Sequence, residues 1–285
     1  MPSFYNRYIK SKLPLKFQII FTNLKIFLLD LMRPLRTSKL ITKILGPQYR
    51  RSRKDIEIDI TYNCNLRCFN CNRSCRQAPT KKNMSLEQIE RFIKESKDKN
   101  IKWRKISLVG GEPCLHPNIL KIIDLVLDYK KKFSKQTKIY LVTNGLIKNI
   151  LKEVPKSINI VNSEKQSSAQ DGFESFNVAP IDLKKYKNKD FKNGCKILKD
   201  CGMGLNMYGY YPCAVAGGID RIFGFNAARK HLPEKNDQMF DQLNTFCKLC
   251  GHFKKHDIIN KEKKSITWEK AYAQFQDENE QLTKY

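Results

Sequence analysis

Ile60-Thr61-Tyr62-Asn63-Cys64-Asn65-Leu66-Arg67-Cys68-Phe69-Asn70-Cys71 decides how this 285-residue chain is read. Its C-x3-C-x2-C spacing gathers three thiols round one loop, whereas a structural zinc site or a closed iron-sulfur cluster takes four. Three ligands leave one metal corner open to an exogenous group. Cys75, four residues further on, would close that corner if it also bound. A strand from Ile56 to Thr61 delivers the chain into the loop.

About forty residues on, the apolar run Ile106-Ser107-Leu108-Val109 ends in Gly110-Gly111-Glu112-Pro113. A glycine pair after a buried strand lets backbone approach a ligand closely, and carbonyls beside an acidic side chain can receive an ammonium group. Alone, such a stretch reads as an ordinary strand-to-helix turn. After the cysteine triplet, the two motifs together resemble the radical SAM superfamily. The resemblance implies that Cys64, Cys68 and Cys71 hold a 4Fe-4S cluster whose open iron takes the amino and carboxylate groups of S-adenosylmethionine (SAM). Gly110, Gly111, Glu112 and Pro113 would be the family's GGEP loop, with Glu112 at the methionine ammonium. Lys138–Thr143 and Asn144-Gly145 resemble the strand whose terminal polar residue meets the SAM ribose, which designates Asn144. Ser163, closing Ile158–Asn162, stands where the family often has a serine facing the SAM carboxylate. The family usually has an aromatic residue just before the third cysteine; here that place is Asn70, with Phe69 one position earlier.

The resemblance further implies an oxidoreductase-type enzyme in which an electron passes to the SAM sulfonium and a 5'-deoxyadenosyl radical abstracts hydrogen from a substrate carbon. The substrate would be a small molecule or a peptide, and the electron donor an acidic flavodoxin- or ferredoxin-type protein.

From Asp55 onward strands and helices alternate, which predicts a mostly parallel sheet with ligand residues at strand carboxyl ends. Helices are expected from Ser85, with Gln88 completing a capping box, over 118–132 and over 146–153. Strands are expected over 105–109, 138–143, 158–162 and 176–178. The family's fold is a partial (β/α)6 barrel, here followed by a small cysteine-rich lobe. The expected divisions are a basic amphipathic helical extension over 1–54, a core over 55–190, and a C-terminal lobe with a final helix over 191–285.

That lobe carries Cys195, Cys201, Cys213, Cys247 and Cys250. The run to Cys213 reads as a hairpin bending at Gly209 with Tyr210-Tyr211 on its return strand. A hairpin followed by C-x2-C resembles the SPASM or twitch extensions of radical SAM enzymes and implies a second 4Fe-4S cluster. Cys213, Cys247 and Cys250 would be joined by either Cys195 or Cys201. Four thiolates suit zinc equally well. His252 and His256 are reserve ligands expected to face solvent.

Lys and Arg number 54 against 28 Asp and Glu, a net charge of +26 that favours acidic partners. Residues 1–54 hold thirteen of the basic residues and one acid, Asp30. The apolar positions from Phe17 to Leu31 recur at helical spacing, and this stripe is expected to dock on the parent domain, a peripheral membrane contact being the alternative. Ten cysteines without a convincing secretory leader point to a reducing cytoplasm and to metal ligation. The rival reading is a zinc- or Fe-S-stabilised nucleic-acid-binding module, which would need neither an open iron nor the glycine loop.

Overall fold

The computed structural model describes residues 31–163, 165, 174–254, 261–275 and 282–285. Its centre is a six-stranded sheet: β1 (Asp55–Thr61), β2 (Lys105–Gly110), β3 (Lys138–Thr143), β4 (Asn159–Asn162), β5 (Met203–Asn206) and β6 (Gly209–Tyr211). The order is β4-β3-β2-β1-β5-β6, parallel throughout except for the antiparallel β5–β6 pair. This mixed, mostly parallel arrangement accords with a partial radical SAM barrel.

Helices cover the sheet because their apolar stripes fit it. The helix Leu86–Asp98 (α2) turns Ile89, Phe92 and Ile93 inward, and Ile119–Lys132 (α3) buries Ile122, Ile123 and Val126. They meet Ile58, Leu108 and Leu141 of the strands in one apolar core. At the start of α2, the Ser85 side chain accepts from the Gln88 amide and the Gln88 side chain from the Ser85 amide, completing the expected capping box. The short helix Lys148–Glu153 (α4) leads to β4, whose residues are all exposed.

Several expectations are corrected. Residues 176–178 form a turn, because Phe176 spends its carbonyl on the Gly251 amide and packs its ring against Trp268. The hairpin bends at Met207-Tyr208, and Gly209 opens the return strand at φ +133°. A Cβ there would lie 2.3 Å from the Arg229 carbonyl oxygen, so glycine answers a crossing backbone rather than a bend. Within the extension expected over 1–54, Ser38 caps a separate short helix over Lys39–Leu45 (α1). The apolar stripe expected to dock lies outside the described residues apart from Leu31, which is exposed.

β5, although it follows position 191, hydrogen-bonds in parallel along β1, with Ile58 opposite Leu205. The sheet is therefore continuous across the expected boundary at 190. Beyond it, the helices Ile197–Asp200, Ala214–Phe223, Phe240–Phe246 and Ile266–Gln274 build a second apolar cluster around Trp268, Tyr211 and Phe246.

Candidate functional site

The carboxyl ends of β1 to β4 open on one cavity of about 260 Å³. Cys64, Cys68 and Cys71 enter it from the loop after β1, Gly110, Gly111 and Glu112 from the end of β2, Asn144 from the end of β3 and Ser163 from the end of β4. All eight of these predicted residues line it; Pro113 is buried at the head of a 3-10 turn just behind.

The cysteine loop is tight because Asn70 and Ser74 adopt left-handed backbone at φ 52° and 55° on either side of Cys71. Asn70 is buried: its side chain donates to the Lys261 carbonyl at 2.7 Å and accepts from the Lys263 amide at 3.1 Å. It ties the loop to a distant segment, while the Phe69 ring carries the Arg76 guanidinium at 4.2 Å. The Cys75 thiol donates to Cys71, and that bond, with amides of Cys75 and Arg73 acting against burial, lowers the Cys71 pKa. Burial pushes Cys64 up to about 11 and also raises Cys68.

Packing explains the glycine pair. Gly110 has φ +137°, and a Cβ on it would sit 2.2 Å from the Thr61 carbonyl oxygen; one on Gly111 would sit 2.2 Å from that of Asn63. The Gly111 and Glu112 amides donate to those same two carbonyls at 2.7 and 2.8 Å. The glycine loop thus clasps the entry to the cysteine loop. The buried Glu112 carboxylate accepts from the Cys114 amide at 3.1 Å, Thr143 Oγ1 at 2.7 Å and the Asn144 amide at 2.8 Å. Asn144 Nδ2 donates to Asn65 Oδ1 at 2.8 Å, and Ser163 Oγ to the Thr143 carbonyl at 3.0 Å.

Other lining residues were not singled out from the sequence. Arg73 bridges Glu57 at 2.9 Å and Asp59 at 3.2 Å. Burial pushes Asp59 up to about 6 against the pull of Arg73. Lys165, Glu174 and His252 complete this side. His252 was expected in solvent, but its side chain is largely buried, with Nδ1 2.5 Å from Glu174 Oε2 and the Phe176 ring tilted beside it at 5.7 Å. His256 lies outside the described residues. A charged residue inside a strand such as Glu57 was the available signal; its pairing with Arg73 is tertiary.

A second, small cavity is lined by Cys195, Cys213, Cys247 and Cys250 among apolar side chains including Ile219, Leu243 and Phe246. Burial raises the pKa of all four, and Cys195 raises the other three further, Cys213 reaching about 12. Four thiols in an apolar pocket are a donor set that only a soft cation makes favourable to ionise. Cys201 does not join them; it lines the larger cavity, where burial and a hydrogen bond with Glu57 raise its pKa. Arg33 lies beside Cys195 and Cys247, its guanidinium 4.5 Å from the Phe253 ring centroid, and among the described residues no carboxylate pairs with it. Nor, among them, do three His, Cys, Asp or Glu side chains approach closely enough to hold a single metal ion. Ile197 and Val215 line both cavities.

Residues 58–212, more than half of the chain, match the radical SAM superfamily. A "Probable GTP 3',8-cyclase" of Methanococcus maripaludis is 35% identical over 100 residues, covering 35% of this chain and 31% of its own length. One from Pyrococcus horikoshii is 32% identical over 146 residues, covering 50% and 40%. The chain therefore spans about a third of the length of these curated relatives. A solved structure of BtrN in complex with AdoMet and 2-DOIA aligns at TM-score 0.42 and 10% identity, over 76% of this chain and 98% of that one.

Proposed function

The chain belongs to the radical SAM superfamily, and on that premise we propose that Cys64, Cys68 and Cys71 hold its 4Fe-4S cluster with SAM beside it in the larger cavity. The observation that carries this assignment is that the three cysteines, the glycine pair, Glu112, Asn144 and Ser163 line one space. The protein is an enzyme of SAM radical chemistry. When bound, the cluster supplies the electron that cleaves SAM and so yields the radical that takes hydrogen from substrate carbon.

The chain's own residues define where that happens. In this reading the Gly110-Gly111 backbone and Glu112 would offer acceptors to the methionine ammonium, Asn144 would meet the ribose and Ser163 the carboxylate, a reading supported by their lining one cavity. Glu112, bonded to Thr143 and Asn144, also locks the ends of β2 and β3 together. Glu57, Arg73, Lys165 and Glu174 make the remaining lining polar, which suits a hydrogen-bonding small molecule. The net charge of +26 suits an acidic reductant of flavodoxin or ferredoxin type.

Anaerobic reconstitution followed by assay for 5'-deoxyadenosine tests the assignment. Ala at Cys64, Cys68 or Cys71 should abolish SAM cleavage, and Cys75→Ala should retain it. Loss in the Cys75 variant with retention in Cys68→Ala would overturn the ligand set.

Cys195, Cys213, Cys247 and Cys250 we assign to a second 4Fe-4S cluster, supported by the one apolar cavity that all four line. With Cys64, Cys68 and Cys71 all replaced by Ala, the protein should keep about four iron and four sulfide per chain. In that background Cys195→Ala should lose them and Cys201→Ala should not. One zinc without sulfide would sink the idea.

A further inference from the structure

Residues 31–45 pack the wrong way round for a segment surrounded by water. Their buried side chains are Arg33, Thr37 and Thr42, whereas Leu31, Met32, Leu35, Leu40, Ile44 and Leu45 are 56–70% exposed. Six of the eleven large hydrophobic side chains exposed among the described residues fall within these fifteen positions, so the pattern is local. Scattered exposed leucines are ordinary; a contiguous set on two successive helices is not.

The inversion is held by bonds to the body of the protein. Arg33 Nε donates to the Phe253 carbonyl at 2.8 Å and Nη2 to that of Gly194 at 2.6 Å. The Asp190 amide donates to the Thr37 carbonyl at 2.8 Å, and Asn193 Nδ2 donates to Thr42 Oγ1. Rotating the leucines inward would break these contacts and leave buried polar groups unpaired. The apolar face is therefore fixed outward and gains stability only from an apolar neighbour.

Charge selects the neighbour. Residues 1–54 carry thirteen Lys and Arg against one acid, and Lys39 and Lys43 are exposed on the same short helix as Leu40 and Ile44. Leucines flanked by lysines suit the boundary between acyl chains and anionic headgroups. We propose that residues 31–45 form a face that seats this enzyme on an anionic lipid surface, with Leu40 and Ile44 entering the acyl boundary and Lys39 and Lys43 meeting the headgroups. Among the described residues no helix is long and apolar enough to cross a membrane, and the contact proposed is peripheral.

A protein this basic adheres to anionic vesicles by charge alone, so the test must separate apolar insertion from charge. Flotation of the full chain is measured with vesicles of phosphatidylcholine alone and of phosphatidylcholine with phosphatidylserine. The wild type should float with the anionic vesicles. L40S/I44S, which keeps every charge and alters only exposed side chains, should bind them at least about tenfold more weakly. Ile266→Ser, at a comparably exposed position elsewhere, should bind as the wild type does. Equal binding by wild type and L40S/I44S, or no flotation of the wild type, overturns the proposal. A dimer formed without lipid and abolished by L40S/I44S would also overturn it, in favour of a second copy of this chain.

Discussion

His116 shows how burial gives one side chain a pH response. Its Nε2 donates to the Met84 carbonyl at 2.9 Å and its Nδ1 accepts from the Asn118 amide at 3.0 Å, a pattern only the neutral ring satisfies. Burial lowers its pKa. In the unfolded chain the ring takes a proton below about pH 6.5, while the folded protein resists it. The unfolded state then binds more protons, so this contribution is complete above that pH and is lost as pH falls through the folded pKa. Urea midpoints measured from neutral to mildly acidic pH should decline, and His116→Asn, which keeps an acceptor for Asn118, should flatten the decline. An unchanged slope would refute the assignment. Residues of this kind mark where sequence reading stops. Asn70 stands in the family's aromatic place, and only the fold reveals that its amide joins the cysteine loop to Lys261 and Lys263. Cys195 and Cys201 are equally plausible by spacing, and the fold sends them to different cavities.

Among the elements, the turn after β2 depends most on the absence of a side chain. Gly111 has no unusual φ, yet a Cβ there would meet Asn63 backbone on two atoms. Gly111→Ala should therefore lower stability by roughly 1–3 kcal/mol, and should lower iron retention after reconstitution because it displaces the entry to the cysteine loop. Ser85→Ala, which removes the α2 cap, should cost about 1 kcal/mol while leaving iron content unchanged. Thermal melts and iron assays on the two variants separate the effects; equal iron loss in both would contradict the clasp. The elements themselves were largely legible: Ser85 with Gln88 announced α2, and the apolar runs at 106–109 and 138–143 announced β2 and β3. The helix Lys39–Leu45 was not, because its apolar positions face outward, and residues 176–178 misled because Phe176 is apolar for packing against Trp268 rather than for sheet pairing.

Across the whole molecule, the sheet does not respect the division that composition suggests. β5 extends the parallel ladder of β1, so deleting residues 191–285 would turn a central strand into a bare edge and uncover Ile56 and Ile58. Residues 55–190 expressed alone should be aggregated in gel filtration; a monodisperse monomer would show the core to be independent after all. The same interleaving leaves the two cavities sharing Ile197 and Val215. Neither side chain can donate, accept or carry charge, so where the two linings meet they share no hydrogen bond, and a polar occupant of one cavity finds no polar partner on that seam.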